Sequence, residues 1–156
     1  MAGYSGTPLP QKLGIKPQSR VALAFAPGDF AKALGPLPPG VKPAAWGRAR
    51  GPFDVIVAFF ESAAAFEKEL PKLHAALESN GGLWAAWPKK ASGVATDMTE
   101  DVVRKHALPR GLVDNKVCAI DATWSGLRLV IRVEQRAPKT MKAASTTASN
   151  KRPSRK

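Results

Sequence analysis

Asp54-Val55-Ile56-Val57-Ala58-Phe59-Phe60 is the stretch that most narrows what this chain can fold into. After the aspartate every residue is apolar, and most are β-branched or aromatic, so a strand built from them has no face to offer water. A strand covered on both sides is the pattern of a central parallel strand in an α/β protein. Two further runs fit the same sheet. Arg20 to Ala26 alternates Val21, Leu23 and Phe25 against alanines and stops at Pro27-Gly28, and Leu83 to Trp87 is a third buried strand.

The intervening segments predict helices. Asp29 is placed to cap a short helix, Phe30 to Leu34, ended by Gly35-Pro36. Only a brief edge strand is expected in the proline-rich stretch 37–46. Ser62 is a helix N-cap, and Phe66, Leu70, Leu73 and Leu77 form one apolar stripe that Gly81-Gly82 terminates. Pro71 either kinks that helix or opens a second one. Asp97-Met98-Thr99-Glu100 follows the logic of a capping box and predicts a helix from Met98 to Ala107, with Lys105 and His106 at its cation-favouring end. Lys116 to Ala122 and Leu127 to Glu134 predict an antiparallel hairpin with its tip at Thr123 to Gly126. The order predicts a Rossmann-like α/β fold: a mostly parallel sheet, helices on both faces and a C-terminal antiparallel hairpin. The expected divisions are an N-terminal arm at 1–19, one α/β domain at 20–136 and a basic tail at 137–156. In the arm, Leu9, Leu13 and Ile15 are positioned to pin the segment to the core.

Charge separates the tail from the rest. The formal net charge is +12, and Lys139, Lys142, Lys151, Arg152, Arg155 and Lys156 supply half of it with no acid among them. Set among Ala, Ser, Thr and Pro, they describe a disordered cationic arm able to contact nucleic acid nonspecifically; a merely solubilising tail is the competing reading. No apolar run is long enough to cross a bilayer, and no charged-then-apolar leader begins the chain, so a cytoplasmic location without membrane contact is expected. Cys118 is alone, which excludes an internal disulfide and a cysteine metal cluster.

Ligands of open α/β sheets lie beyond the carboxyl ends of the parallel strands. Three segments should emerge there: Ala26 to Asp29, Phe60 to Ser62, and Trp87 to Gly93. A nucleotide fold wants several glycines after the first strand and a carboxylate about 20 residues on for the ribose. Here Gly28 stands alone and Trp46-Gly47-Arg48 occupies the later position, so Pro27-Gly28-Asp29 reads as a turn and no cofactor is expected, adenosyl-methionine being disfavoured with the rest. Lys89, Lys90, Ser92 and Gly93 form a candidate anion cradle, against the commoner readings of solvated lysines or lysines paired with Asp97, Glu100 and Asp101. Asp114, Asn115 and Lys116 are candidate ligand contacts or a turn, and Arg128 joins them as a candidate cation. Trp124 either folds back on the sheet or marks an interaction surface. His74 and His106 lack metal-ligand spacing, Cys118 reads as a small core residue, and no serine has a nucleophile-elbow context, so neither a catalytic set nor a metal site is assigned.

Two resemblances accompany these readings. From Asp54 onward, Phe53 to Val57, the following helix, Glu78-Ser79-Asn80-Gly81-Gly82-Leu83-Trp84, a further helix and the hairpin resemble the second half of the adenosyl-methionine-dependent methyltransferase fold. That resemblance implies a divergent methyltransferase. The strings Gly3 to Leu9, Trp87 to Val94, Asp97 to Val103, Gly111 to Ala119 and Trp124 to Arg128 resemble a bacterial domain family of uncharacterised activity, covering nearly all of residues 3–132. The leading expectation is a non-enzymatic binding module for an anionic small molecule or acidic protein, using Lys89, Lys90, Ser92, Lys116 and Arg128. Its alternatives are the methyltransferase relative and nucleic-acid binding through the tail.

Overall fold

The computed structural model describes residues 8–47 and 51–133. The continuous apolar run forms β3, Phe53–Phe59, whose residues beyond Asp54 are all buried. It lies between two parallel neighbours, β1 (Val21–Ala24) and β4 (Leu77–Pro88). A two-residue β2, Ala44–Ala45, joins the outer edge of β1, also in parallel. Beyond β4 the sheet turns antiparallel with β6 (Trp124–Ile131) and then β5 (Leu112–Ala119), giving the order β2-β1-β3-β4-β6-β5. The fold is therefore the Rossmann-like mixed sheet with a C-terminal hairpin that the residue pattern predicts.

The two faces carry different layers. On one, α3 (Ala63–Ala75) and α4 (Glu100–Ala107) bury Phe66, Leu70, Leu73 and Val103 against Ile56, Leu83 and Leu129. On the other, α1 (Leu9–Lys12), α2 (Phe30–Leu34) and the arm residues Leu13 and Ile15 cover Val57, Phe59, Trp84 and Trp124. Trp84 is fully buried, and its indole Nε1 donates to the Leu13 carbonyl at 3.0 Å. A buried indole N–H needs a partner, so this bond fixes where the arm lies. Among the described residues no helix is long and apolar enough to cross a membrane.

Several local expectations are corrected. Helix α3 runs unbroken through Pro71, and Leu77 belongs to β4, because Phe53 N donates to the Ala76 carbonyl at 2.8 Å and draws the chain straight into the sheet. Gly81-Gly82 therefore lies inside a strand. A Cβ at Gly81 would stand 2.8 Å from the Asp54 carbonyl oxygen, where the β3–β4 register shifts, so its role is close approach between backbones. Asp29 stands before α2 without capping it. The cap of α4 is Thr99, whose hydroxyl accepts from Val102 N at 3.2 Å, and Asp97 serves another helix. The hairpin turn lies at 120–123, earlier than predicted, because Asp121 Oδ1 accepts from both Thr123 N and Trp124 N at 2.8 Å. Half-buried Cys118 packs against the arm-side core, and burial pushes its thiol up.

Replacing Gly81 with alanine forces Cβ into carbonyl oxygens of the neighbouring strand. Gly81→Ala is expected to destabilise the fold by about 1–3 kcal/mol, read as a lower urea midpoint at unchanged slope.

Candidate functional site

The sheet order contains one switch point among the parallel strands. From β1 the chain crosses outward to β2, and the next unit is placed on the other side of β1 as β3. At such a point the loops that leave adjacent strands diverge and open a crevice. A cavity of about 690 Å³ lies there, walled by Phe25 and Pro27 after β1, by Phe59, Phe60, Glu61 and Ser62 at the end of β3, and by Lys68 and Glu69 of α3. Val94, Thr123 and Trp124 complete it.

Each wall is held by identifiable contacts. The Phe25 and Phe60 rings lie 5.5 Å apart, Phe59 meets Trp124 edge-on at 5.1 Å, and Phe60 meets Phe66 at 5.3 Å. Trp124 thus folds onto the sheet and is nearly buried. Phe25 has φ of +59°, the left-handed region that costs an L residue roughly 1–2 kcal/mol, and half its surface is exposed at the cavity. The far side is stitched by one loop: Thr96 Oγ1 donates to the Glu61 carbonyl at 2.6 Å, and Asp97 Oδ1 accepts from Ala63 N at 2.7 Å. With Ser62 Oγ accepting from Ala65 N at 3.2 Å, two side chains satisfy the first turn of α3, where helix N–H groups lack intrahelical partners.

The structure divides the predicted site residues into two groups. Lys89, Lys90, Ser92 and Gly93 do follow β4 at the carboxyl edge, but as a tight turn: Lys89 N donates to the Thr123 carbonyl at 2.7 Å, the Ser92 hydroxyl donates to the Lys89 carbonyl at 2.6 Å, and Gly93 takes φ of +79°. None of the four lines the cavity. The three acids considered as lysine partners are engaged elsewhere, Asp97 on α3, and Glu100 and Asp101 on Arg104. Asp114 also binds Arg104, accepting from its Nε at 3.1 Å, and Asp114 and Glu100 push the guanidinium pKa up. Asn115, Lys116 and Arg128 gather at the opposite end of the sheet, beside Asp54 and Val55 at the start of β3 and Asn80 in the first half of β4. Asp114 to Lys116 is a strand with a register shift, not a turn. Phe25, Lys68, Glu69 and Trp124 were not assigned to the site from sequence, although the segment Phe60 to Ser62 was placed on this edge. The tail candidates Lys139, Lys142, Lys151, Arg152, Arg155 and Lys156 lie outside the described residues, as does Arg48. Among the described residues no group of three His, Cys, Asp or Glu side chains could hold a metal.

No protein-family model and no curated protein matches the chain. Solved structures do. A candidate type 11 methyltransferase of Sulfolobus solfataricus aligns over 84% of this chain and 94% of its own, with 12% identity and a TM-score of 0.58. Magnesium protoporphyrin IX methyltransferase from Synechocystis, with bound SAH, aligns over 74% of each chain at 14% identity and a TM-score of 0.52. Fibrillarin from Aeropyrum pernix, in complex with S-adenosyl-L-methionine, aligns over 83% of this chain and 71% of its own at 15% identity and 0.51. The fold is that of these methyltransferases.

These neighbours correct two expectations, the non-enzymatic binding module and the absence of a cofactor. The absence of a cofactor rested on the lone Gly28 and the missing acid in the Trp46-Gly47-Arg48 stretch, and the binding module on polar residues gathered on predicted loops, all of them features of local sequence. The likeness extends over most of the chain, and the crevice at the β1–β3 switch point is built from other residues.

If Asp97 anchors the cavity loop to α3, its removal has a local signature. Asp97→Ala is expected to cost about 1 kcal/mol and to accelerate hydrogen exchange at the Ala63 amide while leaving the α4 amides unchanged.

Proposed function

We propose that this chain is a divergent adenosyl-methionine-dependent methyltransferase whose cofactor lies in the cavity beyond β1 and β3. The observation that carries this reading is the coincidence of a 690 Å³ crevice with the switch point of a methyltransferase-like sheet. Its volume is within the range of small-molecule and cofactor sites.

The lining fits the group in chemistry, though by different residues from a glycine-rich loop. A Cβ at Gly28 would meet no atom within 4 Å, so that glycine is not keeping a narrow approach open. Instead, the rings of Phe25, Phe60 and Trp124 offer flat apolar surface for a purine and electron-rich faces for a cationic sulfonium. Glu61 and Glu69 offer carboxylates for ribose hydroxyls or the amino group, standing in for the acid that does not follow β2, and Lys68 offers a cation for the carboxylate. When bound, the cofactor would supply an electrophilic methyl group. The chain's part is to hold it, to keep the apolar walls dry and to leave the Val94 side open for an acceptor.

Calorimetric titration of the full chain with adenosyl-methionine and adenosyl-homocysteine tests the proposal. Saturable binding is expected, with a thermal midpoint raised by the equivalent of about 2.7 kcal/mol at 100 times the dissociation constant. Glu61→Gln combined with Glu69→Gln should weaken binding about tenfold or more, because each removes a charged hydrogen-bond acceptor. An unmoved midpoint at millimolar cofactor would sink the reading.

A further inference from the structure

At the end of the sheet opposite the methyltransferase crevice is a second cavity, of about 380 Å³, with a different lining. Four cations face it from three parts of the chain: Lys12 and Lys16 on the N-terminal arm, Lys116 on β5 and Arg128 on β6. Asn80 and Asn115 add amide groups. The one carboxylate among the described lining residues is Asp54, whose Oδ2 already accepts from Arg20 N at 2.8 Å.

The positions of these groups are set by the core. Leu13 and Ile15 are buried against the sheet, and Trp84 holds the Leu13 carbonyl, so Lys12 and Lys16 on either side are brought to the cavity edge by packing. Lys116 Nζ donates to the Lys12 carbonyl at 3.3 Å, joining β5 to the arm. Arg128 Nη1 donates to Asn115 Oδ1 at 3.4 Å, and its guanidinium lies over Gly82, where any Cβ would run into it. The glycine in β4 thus opens the space that the arginine occupies. Cations from three parts of the chain around one cavity give it a positive field that favours an anion. A planar guanidinium beside mobile ammonium groups and amide donors is the donor set that suits a phosphate group.

We propose that this cavity is a second ligand site, taking a small molecule that carries a phosphate group. It is independent of the cofactor reading: the cavity takes Asp54 and Val55 from the start of β3 and the crevice takes Phe59 from its end, so the two sites lie at opposite ends of the same strand. The lysine pair Lys89-Lys90, on the other edge, has no part in it.

The test is a titration of the full ¹⁵N-labelled chain at fixed ionic strength with inorganic pyrophosphate and, separately, with ribose 5-phosphate. Saturable shifts are expected at Gly14, Asn80 and Asn115, weakened tenfold or more by Lys116→Gln with Arg128→Gln and unchanged by Lys89→Gln with Lys90→Gln. Tighter binding of the sugar phosphate would assign an organic phosphate; equal or tighter binding of pyrophosphate would assign the inorganic ion. Should the double variant lose its dispersed spectrum, Lys16→Gln on the exposed arm replaces it and is expected to weaken binding several-fold. The proposal is overturned by shifts that never saturate, by shifts confined to residues 137–156, by affinity unchanged in both the double variant and Lys16→Gln, or by binding of an oligonucleotide alone.

Discussion

The hydrogen bond from the Trp84 indole to the Leu13 carbonyl ties the N-terminal arm to the middle of the sheet. Trp84 sits on β4 between a parallel and an antiparallel neighbour, and its ring is wholly inside the arm-side core. Burying an indole is favourable only if its N–H is satisfied, and no strand carbonyl can turn out of the sheet to do so. The arm supplies the carbonyl. Its leucines and isoleucine then complete the second layer, and its lysines become one wall of the lower cavity. Gly126 belongs to the same arrangement: a Cβ there would stand 3.1 Å from the Trp84 ring and 2.8 Å from Ile120 Cδ1.

The two ends of the sheet differ for a physical reason. At the carboxyl end, β1 and β3 send their chains in opposite directions, and the crevice between them is lined by the aromatic residues that close both strands. Its charged groups come from the loop after β3 and from α3. At the other end no strand loops diverge, and the arm crosses instead, bringing cations to meet those of the hairpin. The crevice follows from the topology of the sheet, because a switch point opens between diverging loops whatever residues follow the first strand.

Much of the architecture was legible. The uninterrupted run after Asp54, the alternation in Arg20 to Ala26 and the stripe Phe66, Leu70 and Leu73 each state a period that only one element satisfies, and Ser62 caps as its position requires. The errors cluster at glycines and at capping residues. Gly81, Gly82 and Gly126 were read as breakers and hairpin tip because glycine relaxes backbone restrictions. In the fold they lie within strands, at points where a carbonyl, a guanidinium or an indole passes too close for a Cβ. Asp97 and Thr99 are both competent caps two residues apart, and which helix each serves is settled by the neighbour that arrives, α3 for Asp97 and α4 for Thr99.

By itself the sequence determined the class of fold and the order of its elements, because hydrophobic period and punctuation are local properties of the chain. It also marked Asn115, Lys116 and Arg128 as candidate ligand contacts. Only the tertiary structure decided that these three lie at the end of the sheet away from Lys89 and Lys90, that Lys12 and Lys16 join them, and that Phe25, Glu61 and Trp124 share a crevice. Those groupings depend on strand order and on the pinning of the arm, which are contacts between residues far apart along the chain and leave no period in it.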